Sequence, residues 1–343
     1  MPPCVVLEKA VGETPLQCVE AWRATQSPAF AEVPLAYAGR LDPMASGKLL
    51  VLIGDECKQQ ENYHELDKAY DFSVLLGIGS DTHDVLGRLV IDSDCSLARQ
   101  QAFATGAVRH VLGGASQKPA ASATHSTNIQ TISDLTEAGG QAAKKLHPSK
   151  SDAQRAVFSS PDLIRQLERI AAELVGPIEL PYPHFSSKTV QGKPLHQWTL
   201  EGRLAEIDVP TKASTIYSLE LTSVETMSRA DVARAARHNI DLLPEVTEAS
   251  KALGQDFRRK DVRADWAEIS QNTFLGNFGL SATPLPDSYH IAHFHCIASS
   301  GTYMRSLAHL IGQTLGTEAL AWSIHRTNIG TYDVATQRWT LEY

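Results

Sequence analysis

The chain has 343 residues, which is long enough for one large domain or two smaller ones with a full hydrophobic core. Its hydrophobic fraction of 43% and charged fraction of 20% are ordinary for a globular protein. The formal net charge of -8 disfavours a general nucleic-acid binder, because phosphate contacts need Lys and Arg, but it does not exclude a local basic groove.

The cysteines and the N-terminal residues indicate the cellular compartment in which we expect the protein. The cysteines are odd in number, scattered and without a C-x-x-C pair, which disfavours a disulfide framework or a structural zinc site. The first residues lack the basic and apolar regions of a signal peptide, and no apolar run approaches the ~20 residues of a membrane span. We therefore expect a cytoplasmic protein with reduced thiols. The cysteines are Cys4, Cys18, Cys57, Cys95 and Cys296.

The predicted elements in the first quarter of the chain are short. Val5 to Leu7 is typical of a strand, and Thr14-Pro15 predicts the start of a helix, because Pro is favoured in the first helical turn. Leu49 to Ile53 is a continuous apolar run that predicts a buried strand. Tyr70 to Gly77 predicts another strand that ends at glycine.

Two insertions interrupt the middle of the chain. Residues 92–158 are rich in Ala, Ser, Thr, Gly, Gln and Lys, and this composition predicts a mobile segment with few core contacts. Residues 161–174 have helical periodicity, and residues 216–224 alternate like a strand. Residues 228–272 form the second insertion, which we predict to be partly helical.

The last elements are a strand and a helix. Residues 290–297 are strand-like, and residues 306–315 predict a helix that Gly316 caps. Alternation along the strand places His293 and His295 on one face and Cys296 on the other. A metal ion shared by this group would therefore have only two ligands from one face, so we predict no metal site here.

The stretch from Ala38 to Gly47, read AGRLDPMASG, carries the most chemical information. Glycines bracket it, and Pro43 biases Asp42 away from helical geometry, so we interpret the stretch as a loop. A carboxylate held on a rigid loop can serve as a nucleophile or a base. Taken alone, an Asp-Pro pair more often starts a turn and caps nearby backbone N–H groups.

The neighbouring residues strengthen the catalytic interpretation. This decapeptide resembles the catalytic motif of the TruB family, G-H-x-G-x-L-D-P-x-A-[ST]-G. Three further segments resemble family motifs in the same order, and together they cover nearly the whole chain outside the insertions. Lys68–Gly87 resembles the family motifs K-x-Y, L-G and T-D-T-x-D-x-x-G. Gly176–Gly192 resembles P-P-x-x-S-A-x-K-x-x-G, and Ser299–Ala308 resembles S-K-G-T-Y-I-R-S-L-A.

The resemblance implies a role for each matching residue. Asp42 would be the catalytic carboxylate, and Arg305 would pair with it and keep it ionised. Tyr70 would stack on a uracil extruded from RNA, with Tyr303 lining the same pocket. Asp84 would bond the base or a pocket partner. The structural alternatives are a surface ion pair for Arg305, half-buried strand tyrosines, and a turn carboxylate for Asp84.

Further substrate-binding positions follow from the same resemblance. Tyr37 stands where the family has His, and this change preserves stacking but not the same hydrogen bonds. Lys188 belongs to Ser186-Ser187-Lys188, in the segment similar to the family's S-A-x-K-x-x-G, and Ile324 begins a segment similar to the family's Leu-Arg-Arg. Ser300 replaces a lysine, which removes a phosphate contact. We therefore expect phosphate contacts from local basic clusters. The candidates are Lys188, Lys193, Arg258, Arg259, Lys260 and Arg263.

The resemblance implies an α+β fold with a mixed, largely antiparallel sheet and flanking helices, in a single catalytic domain over residues 1–343. The implied reaction is cofactor-free isomerisation of uridine to pseudouridine, at position 55 in the T-loop of tRNA. We expect a monomer without a metal or a C-terminal RNA-binding PUA domain. Two alternatives stay open: a non-catalytic RNA-binding or RNA-folding protein, and a nucleoside or glycoside enzyme, which would usually require a second catalytic carboxylate.

Overall fold

The computed structural model describes residues 2–91, 160–243, 259–272 and 285–343. The first predicted insertion, at 92–158, lies outside the described residues, so the prediction that it is mobile stays a prediction. The second insertion is described at its two ends. Arg258, the first residue of its basic run, also lies outside the described residues.

Thirteen strands lie in the described residues, and nine of them form one sheet. The strands are β1 Cys4–Lys9, β2 Leu35–Tyr37, β3 Ala45–Ile53, β4 Asp67–Leu76, β5 Gly79–Ser80, β6 Leu89–Val90, β7 Gly176–Pro181, β8 Thr189–Val190, β9 Lys193–Pro194, β10 Thr211–Ser228, β11 Ser288–Ala298, β12 Ala319–Asp333 and β13 Arg338–Glu342.

The described part of the chain also contains seven α-helices. They are α1 Pro15–Ala24, α2 Gln60–His64, α3 Ser160–Glu173, α4 Leu195–Leu200, α5 Arg229–Asp241, α6 Arg259–Gln271 and α7 Met304–Leu315. None of these helices is long and apolar enough to span a membrane.

The sheet is mixed and largely antiparallel, as predicted. Its main order is β1-β3-β12-β4-β11-β10-β7, with β2 on β3 and β13 on β12. Only the β3–β12 pair is parallel among the pairs of this sheet in the described residues, and it aligns Ala45 with Ile324 and Gly47 with Arg326. A side chain at Gly47 would collide with the carbonyl oxygen of Arg326. The backbones of the first and last motifs therefore meet directly.

Two hydrophobic layers cover the two faces of the sheet. Alternate residues of a strand point to opposite faces, so Val74 packs under α3 and α7, whereas Leu75 packs under α5 and α6. In the first layer the rings of Phe72 and Phe294 stack with centroids 5.4 Å apart. Burying one such ring stabilises the fold by about 1.5–3 kcal/mol. The second insertion thus contributes two helices to the core.

The helix ends follow the predicted signals. The Thr14 side chain accepts from the Gln17 backbone, and the Gln17 side chain accepts from the Thr14 backbone, so that a capping box starts α1. Gly316 closes α7 with a left-handed backbone (φ 83°). Both predicted helices are confirmed, with α7 beginning two residues earlier than expected.

One local prediction was wrong. The motif 38–47 was interpreted as a loop throughout, but the loop ends at Met44, because Ala45 to Gly47 already belong to β3. These residues are hydrogen bonded to β12, a partner 279 residues away along the chain, as between Ser46 and His325. His293 and His295 lie on one face of β11, as predicted, and no group of three or more metal-ligating side chains is found among the described residues.

Candidate active site

The loop between β2 and β3 carries Asp42 on a fixed backbone. The Ala45 N–H donates to the carbonyl oxygen of Asp42 at 2.9 Å and closes a turn before the strand. The carbonyl oxygen of the next residue, Pro43, accepts from the Gly12 N–H at 2.9 Å. The backbone on both sides of the Asp42 side chain is therefore hydrogen bonded.

Lys9, at the end of β1, lies fully buried beneath this loop. Its ammonium donates to the carbonyl oxygens of Ala10 at 2.8 Å and Glu13 at 2.7 Å, and to that of Pro43 at 3.5 Å. Burial lowers the pKa of Lys9 to about 8, and the charges of Glu13 and Asp42 oppose that shift. Lys9 thus connects the backbone that follows β1 to the backbone of the Asp42 loop.

Arg326 joins the other side of the loop to β3 and β4. Its guanidinium donates to the carbonyl oxygens of Lys48 at 2.8 Å and Gly39 at 3.4 Å. Gly39 has a left-handed backbone (φ 83°), a conformation that glycine adopts without strain. The same guanidinium reaches the hydroxyl of Tyr70. Arg326 therefore positions both the Asp42 loop and Tyr70, a predicted substrate residue.

Asp42 and Arg305 form the ion pair that the sequence predicted. The Nε of Arg305 lies 2.8 Å from Oδ2 of Asp42. Arg305 is on the first turn of α7 with 6% of its side chain exposed, whereas the Asp42 side chain is 41% exposed. Burial opposes the charge of Arg305, but its carboxylate neighbours outweigh that effect and raise its pKa. The carboxylate is thus held in a fixed orientation and still open to a substrate.

Asp84 is the second carboxylate near Arg305, and its environment is different. Its Oδ2 lies 3.8 Å from the Arg305 Nε, and its side chain is 8% exposed. Its Oδ1 accepts from the Thr82 hydroxyl at 2.6 Å and from the Leu86 N–H at 2.9 Å. Burial raises the pKa of Asp84, and the charge of Arg305 partly offsets that rise.

The segment that carries Asp84 also holds Arg305 through its backbone, because Nη1 of Arg305 donates to the carbonyl oxygen of Thr82 at 3.0 Å. Helix α6 of the second insertion supports this segment from below. Asp265 accepts from Nε of Arg88 at 2.7 Å and from the Leu89 N–H at 3.0 Å. The indole of Trp266, fully buried, donates to the carbonyl oxygen of Val85 at 3.2 Å.

A histidine cluster packs against the same segment. His83 has a left-handed backbone (φ 60°), and its carbonyl oxygen accepts from the Ala321 N–H at 2.9 Å. Its ring stacks on His309 with centroids 4.1 Å apart and an 8° angle, and His184 lies 6.4 Å away. Burial, followed by the charges of His309 and Arg305, lowers the pKa of His83 to about 3.

Two of the predicted tyrosines interact electrostatically with the ion pair. Tyr303 occupies the position before α7, and Tyr70 lies on β4 against the core. Burial raises the pKa of Tyr303, and the charges of Asp42 and Tyr70 add to that rise. The charge of Arg305 opposes it, so Tyr303 lies within electrostatic reach of all three side chains. The ring of Tyr182 meets that of Tyr303 edge to face, with centroids 5.5 Å apart.

The other predicted site residues lie in different surroundings. Lys188 is exposed, with its ammonium 5.1 Å from the centre of the Tyr182 ring. Ile324 is buried in the core layer beneath α7, beside Ala45 in the parallel register. Tyr37 packs against the apolar cluster under α1. The buried members of that cluster are Cys18, Val19, Leu49 and Val51.

The sequence interpretation did not assign a role to several supporting residues. Lys9 and Arg326 are two of them, and a lone lysine after a predicted strand is only a weak signal for backbone anchoring. Asp265 and Trp266 gave no signal, because their partners lie about 180 residues away along the chain. Tyr182 was also overlooked, since its place beside Tyr303 depends on tertiary packing.

The fold and this site define an α+β protein with an aspartate–arginine pair and two tyrosines within electrostatic reach of it. The model of the TruB family pseudouridylate synthase N-terminal domain matches residues 30–152, which include Asp42, Tyr70 and Asp84. Over these residues the chain is similar to the TruB family.

The curated relatives are similar over different lengths. The tRNA pseudouridine synthase B of Caldicellulosiruptor saccharolyticus is 22% identical over 63% of this chain and 50% of its own length. That of Bifidobacterium longum subsp. infantis is 22% identical over 96% of this chain and 63% of its own length. Among solved structures, a Cbf5-Nop10-Gar1 complex aligns with a TM-score of 0.39 and 14% identity, over 95% of this chain and 48% of the matched chain.

Proposed function

We propose that this protein isomerises uridine to pseudouridine in RNA, with the T-loop of tRNA, at position 55, as its substrate. The observation that carries the proposal is the ion pair between exposed Asp42 and buried Arg305, 2.8 Å apart. The match of residues 30–152 to the TruB family model and the names of the similar tRNA pseudouridine synthase B proteins support the reaction and the substrate class.

The reaction breaks the N1–C1′ bond of the uridine, turns the uracil and forms a C5–C1′ bond. C5 loses its proton and N1 gains one, so the product is an isomer of the substrate. No atom is added, so the chemistry needs no redox cofactor. Asp42 acts on the ribose, either by attack on C1′ or by removal of a proton from C2′. Arg305 fixes the carboxylate, because a charge-assisted pair with a buried arginine limits its rotation.

The tyrosines give the uracil its contacts. A base must leave its stack before an enzyme can act on its glycosidic bond, and an extruded base gains about 1–3 kcal/mol from an aromatic platform. Tyr70 and Tyr303 are the rings that interact electrostatically with Asp42. We therefore assign Tyr70 to stacking on the uracil and Tyr303 to the wall of the same site.

The surroundings of Asp84 and Asp81 also argue against a glycoside-type enzyme. That chemistry usually requires a second carboxyl group open to the substrate. Asp84 is buried and hydrogen bonded to Thr82 and Leu86, and an oxygen of Asp81 accepts from the Arg88 N–H at 2.9 Å. Both carboxylates thus have structural partners, which supports isomerisation by Asp42 alone.

The decisive assay uses an RNA hairpin with the T-arm sequence and tritium at C5 of the target uridine. The purified protein should release tritium with multiple turnovers, because pseudouridine formation removes the C5 hydrogen. Binding without release, on the hairpin and on whole tRNA that lacks the modification, would contradict the proposal and favour a non-catalytic RNA-binding role. Deuterium at C2′ then separates the two routes, since only proton removal from C2′ gives a primary isotope effect.

A further inference from the structure

Beside the Asp42 site, the segment after β7 presents an aromatic ring and a cation together. Tyr182 follows β7 directly, and its ring meets Tyr303 at 5.5 Å with an interplanar angle of 64°. Tyr303 is two residues before Arg305, so the residue that contacts the Tyr182 ring also lies close in sequence to the ion pair. The Lys188 ammonium lies 5.1 Å from the Tyr182 ring centre.

Lys188 differs from the nearby lysine of the same segment. Lys193 also lies over an aromatic ring, that of Trp198 at 4.3 Å, but its ammonium pairs with Glu201 at 2.6 Å. Within the described ranges no carboxylate forms an ion pair with Lys188, whose side chain is exposed. In a chain of net charge -8, an exposed cation over the Tyr182 ring without a carboxylate partner among the described residues is available to an anionic ligand.

We propose that Tyr182 and Lys188 form a second nucleotide subsite, which binds an unpaired nucleotide adjacent to the target uridine. The Tyr182 ring stacks on the base, and the Lys188 ammonium binds the phosphate. An aromatic face beside a cation is the combination that recognises single-stranded nucleic acid without base-specific hydrogen bonds. The subsite rests on the proposed function, because it takes its RNA from the same substrate.

The geometry gives a reason for a second subsite. Extruding one base from an RNA loop exposes the faces of its neighbours, and a second ring compensates for part of that lost stacking. Because Tyr303 touches Tyr182 and lies beside Asp42, a nucleotide on Tyr182 would be next to the one at the ion pair. The alternative role of Tyr182 is apolar packing, since it also contacts the cluster of Leu195, Trp198 and Ile207.

The stacking half of the proposal is tested with hairpins in which each loop nucleotide beside the target is made abasic in turn. In the wild type, one abasic position should weaken binding about tenfold. In Tyr182→Leu, which keeps an apolar side chain but has no aromatic face, intact RNA should bind about tenfold more weakly. That abasic position should then cause no additional loss, while Tyr182→Phe should behave like the wild type.

The phosphate half is tested by a matched pair of lysine variants across a salt series. Lys188→Gln should weaken binding and flatten the slope of log affinity against log salt by about 0.7, the value for one phosphate contact on a single strand. Lys193→Gln should leave the slope unchanged, because Lys193 is already paired with Glu201. Melting temperatures of all variants identify any that fail to fold.

Three results would overturn the subsite. The first is an abasic penalty that is the same in the wild type and in Tyr182→Leu, and the second is Tyr182→Leu binding intact RNA as tightly as the wild type. The third is equal salt slopes for the two lysine variants. All of these are binding measurements. If the wild type bound RNA with the predicted penalties but released no tritium, the proposed reaction would fail while the subsite stood.

Discussion

Two loops each present an aspartate to the same arginine, and they do so differently. The loop between β2 and β3 brings Asp42 to 2.8 Å from Arg305 and leaves 41% of its side chain exposed. The segment between β5 and β6 brings Asp84 to 3.8 Å and leaves 8% exposed. Asp84 also accepts hydrogen bonds from Thr82 and Leu86. The first carboxylate is therefore available for chemistry, and the second supports the arginine.

The two loops are also anchored by opposite kinds of group. Buried cations, Lys9 and Arg326, hold the backbone of the Asp42 loop through its carbonyl oxygens. A buried carboxylate, that of Asp265, holds the Asp84 segment through Arg88 and a backbone N–H. The anchors of the Asp42 loop are thus cationic, whereas the anchor of the Asp84 segment is a carboxylate that compensates Arg88. In each case the anchor has the opposite charge to a side chain of the loop it supports: Lys9 and Arg326 to that of Asp42, and Asp265 to that of Arg88.

The largest expected effect is that of Asp42→Asn. The amide is nearly isosteric but cannot act as nucleophile or base, so we expect tritium release to fall more than about 1000-fold. Binding of the RNA hairpin should stay within about twofold of the wild type. Asp71→Asn is the matched control, because Asp71 is an exposed aspartate on β4 that pairs with His295. Turnover by Asp42→Asn within tenfold of wild type would contradict the assignment.

Arg305→Met should have the second-largest effect, a loss of about 100-fold in the single-turnover rate. The methionine fills similar volume but leaves Asp42 without its partner and Asp84 buried without a nearby charge. Removing one partner of such a group also destabilises the fold, here by about 1–3 kcal/mol, measured by denaturant unfolding. An unchanged rate and unchanged stability would show that the arginine has no role in either loop.

Asp84→Asn directly tests the difference between the loops. The amide oxygen can still accept from Thr82 and Leu86, so only the charge near Arg305 is lost. We expect a loss of less than about tenfold in single-turnover rate. If Asp84→Asn were as inactive as Asp42→Asn, Asp84 would have to be assigned to the chemistry, and the comparison of exposed and buried carboxylates would be wrong.

The Asp42 loop was predictable from sequence because its signal is local. Gly39, Asp42 and Pro43 lie within five residues of one another, and their conformational preferences are properties of the residues themselves. Arg305 was predictable for the same reason, since it lies in a continuous motif. The end of the loop was not predictable, because β3 begins at Ala45 only when β12 supplies its hydrogen bonds.

The support of the Asp84 segment could not be predicted. Asp265 and Trp266 lie in an insertion whose composition indicates only a charged helix, and their function follows from packing against residues far away in sequence. The same limit explains Tyr37. The motif aligned it with an RNA-contacting position, whereas its described neighbours are the apolar residues of the cluster under α1.

His83 makes the Asp84 segment sensitive to acid. The pKa of His83 is lowered to about 3, so the folded state binds this proton less tightly than the unfolded chain does. Its contribution to stability is present above the unfolded pKa near 6.5 and is lost as pH falls through that value toward 3. We expect the loss to reach about 1–2 kcal/mol at pH 5.

Unfolding free energies measured between pH 7.5 and 5 check this expectation. His83→Asn should flatten the decline, because Asn tolerates the left-handed backbone and does not titrate. His238→Asn, at an exposed position on α5, is the control and should keep the wild-type slope. If the unfolding free energy declined equally with falling pH in the wild type and in His83→Asn, the pKa of His83 would be the same in the folded and unfolded states, which would contradict the expectation.

The smallest expected effect concerns the cations of α6, which the sequence interpretation assigned to RNA phosphates. In the structure Arg263 pairs with Asp241 of α5 at 2.8 Å, and Arg259 donates to the carbonyl oxygen of Leu243 at 2.9 Å. These contacts join the two helices of the second insertion. An ion pair this exposed contributes about 0.2–1 kcal/mol, so Arg263→Glu should lower stability by no more than about that amount.

The RNA affinity of Arg263→Glu should stay within about twofold of the wild type at every salt concentration, because the charge is already compensated within the protein. Exchanging the pair, with Arg263→Asp and Asp241→Arg together, should restore the lost stability. A tenfold weaker affinity with a flatter salt slope, unrepaired by the exchange, would instead place the RNA along α6. The second insertion would then bind the substrate in addition to supporting the Asp84 segment.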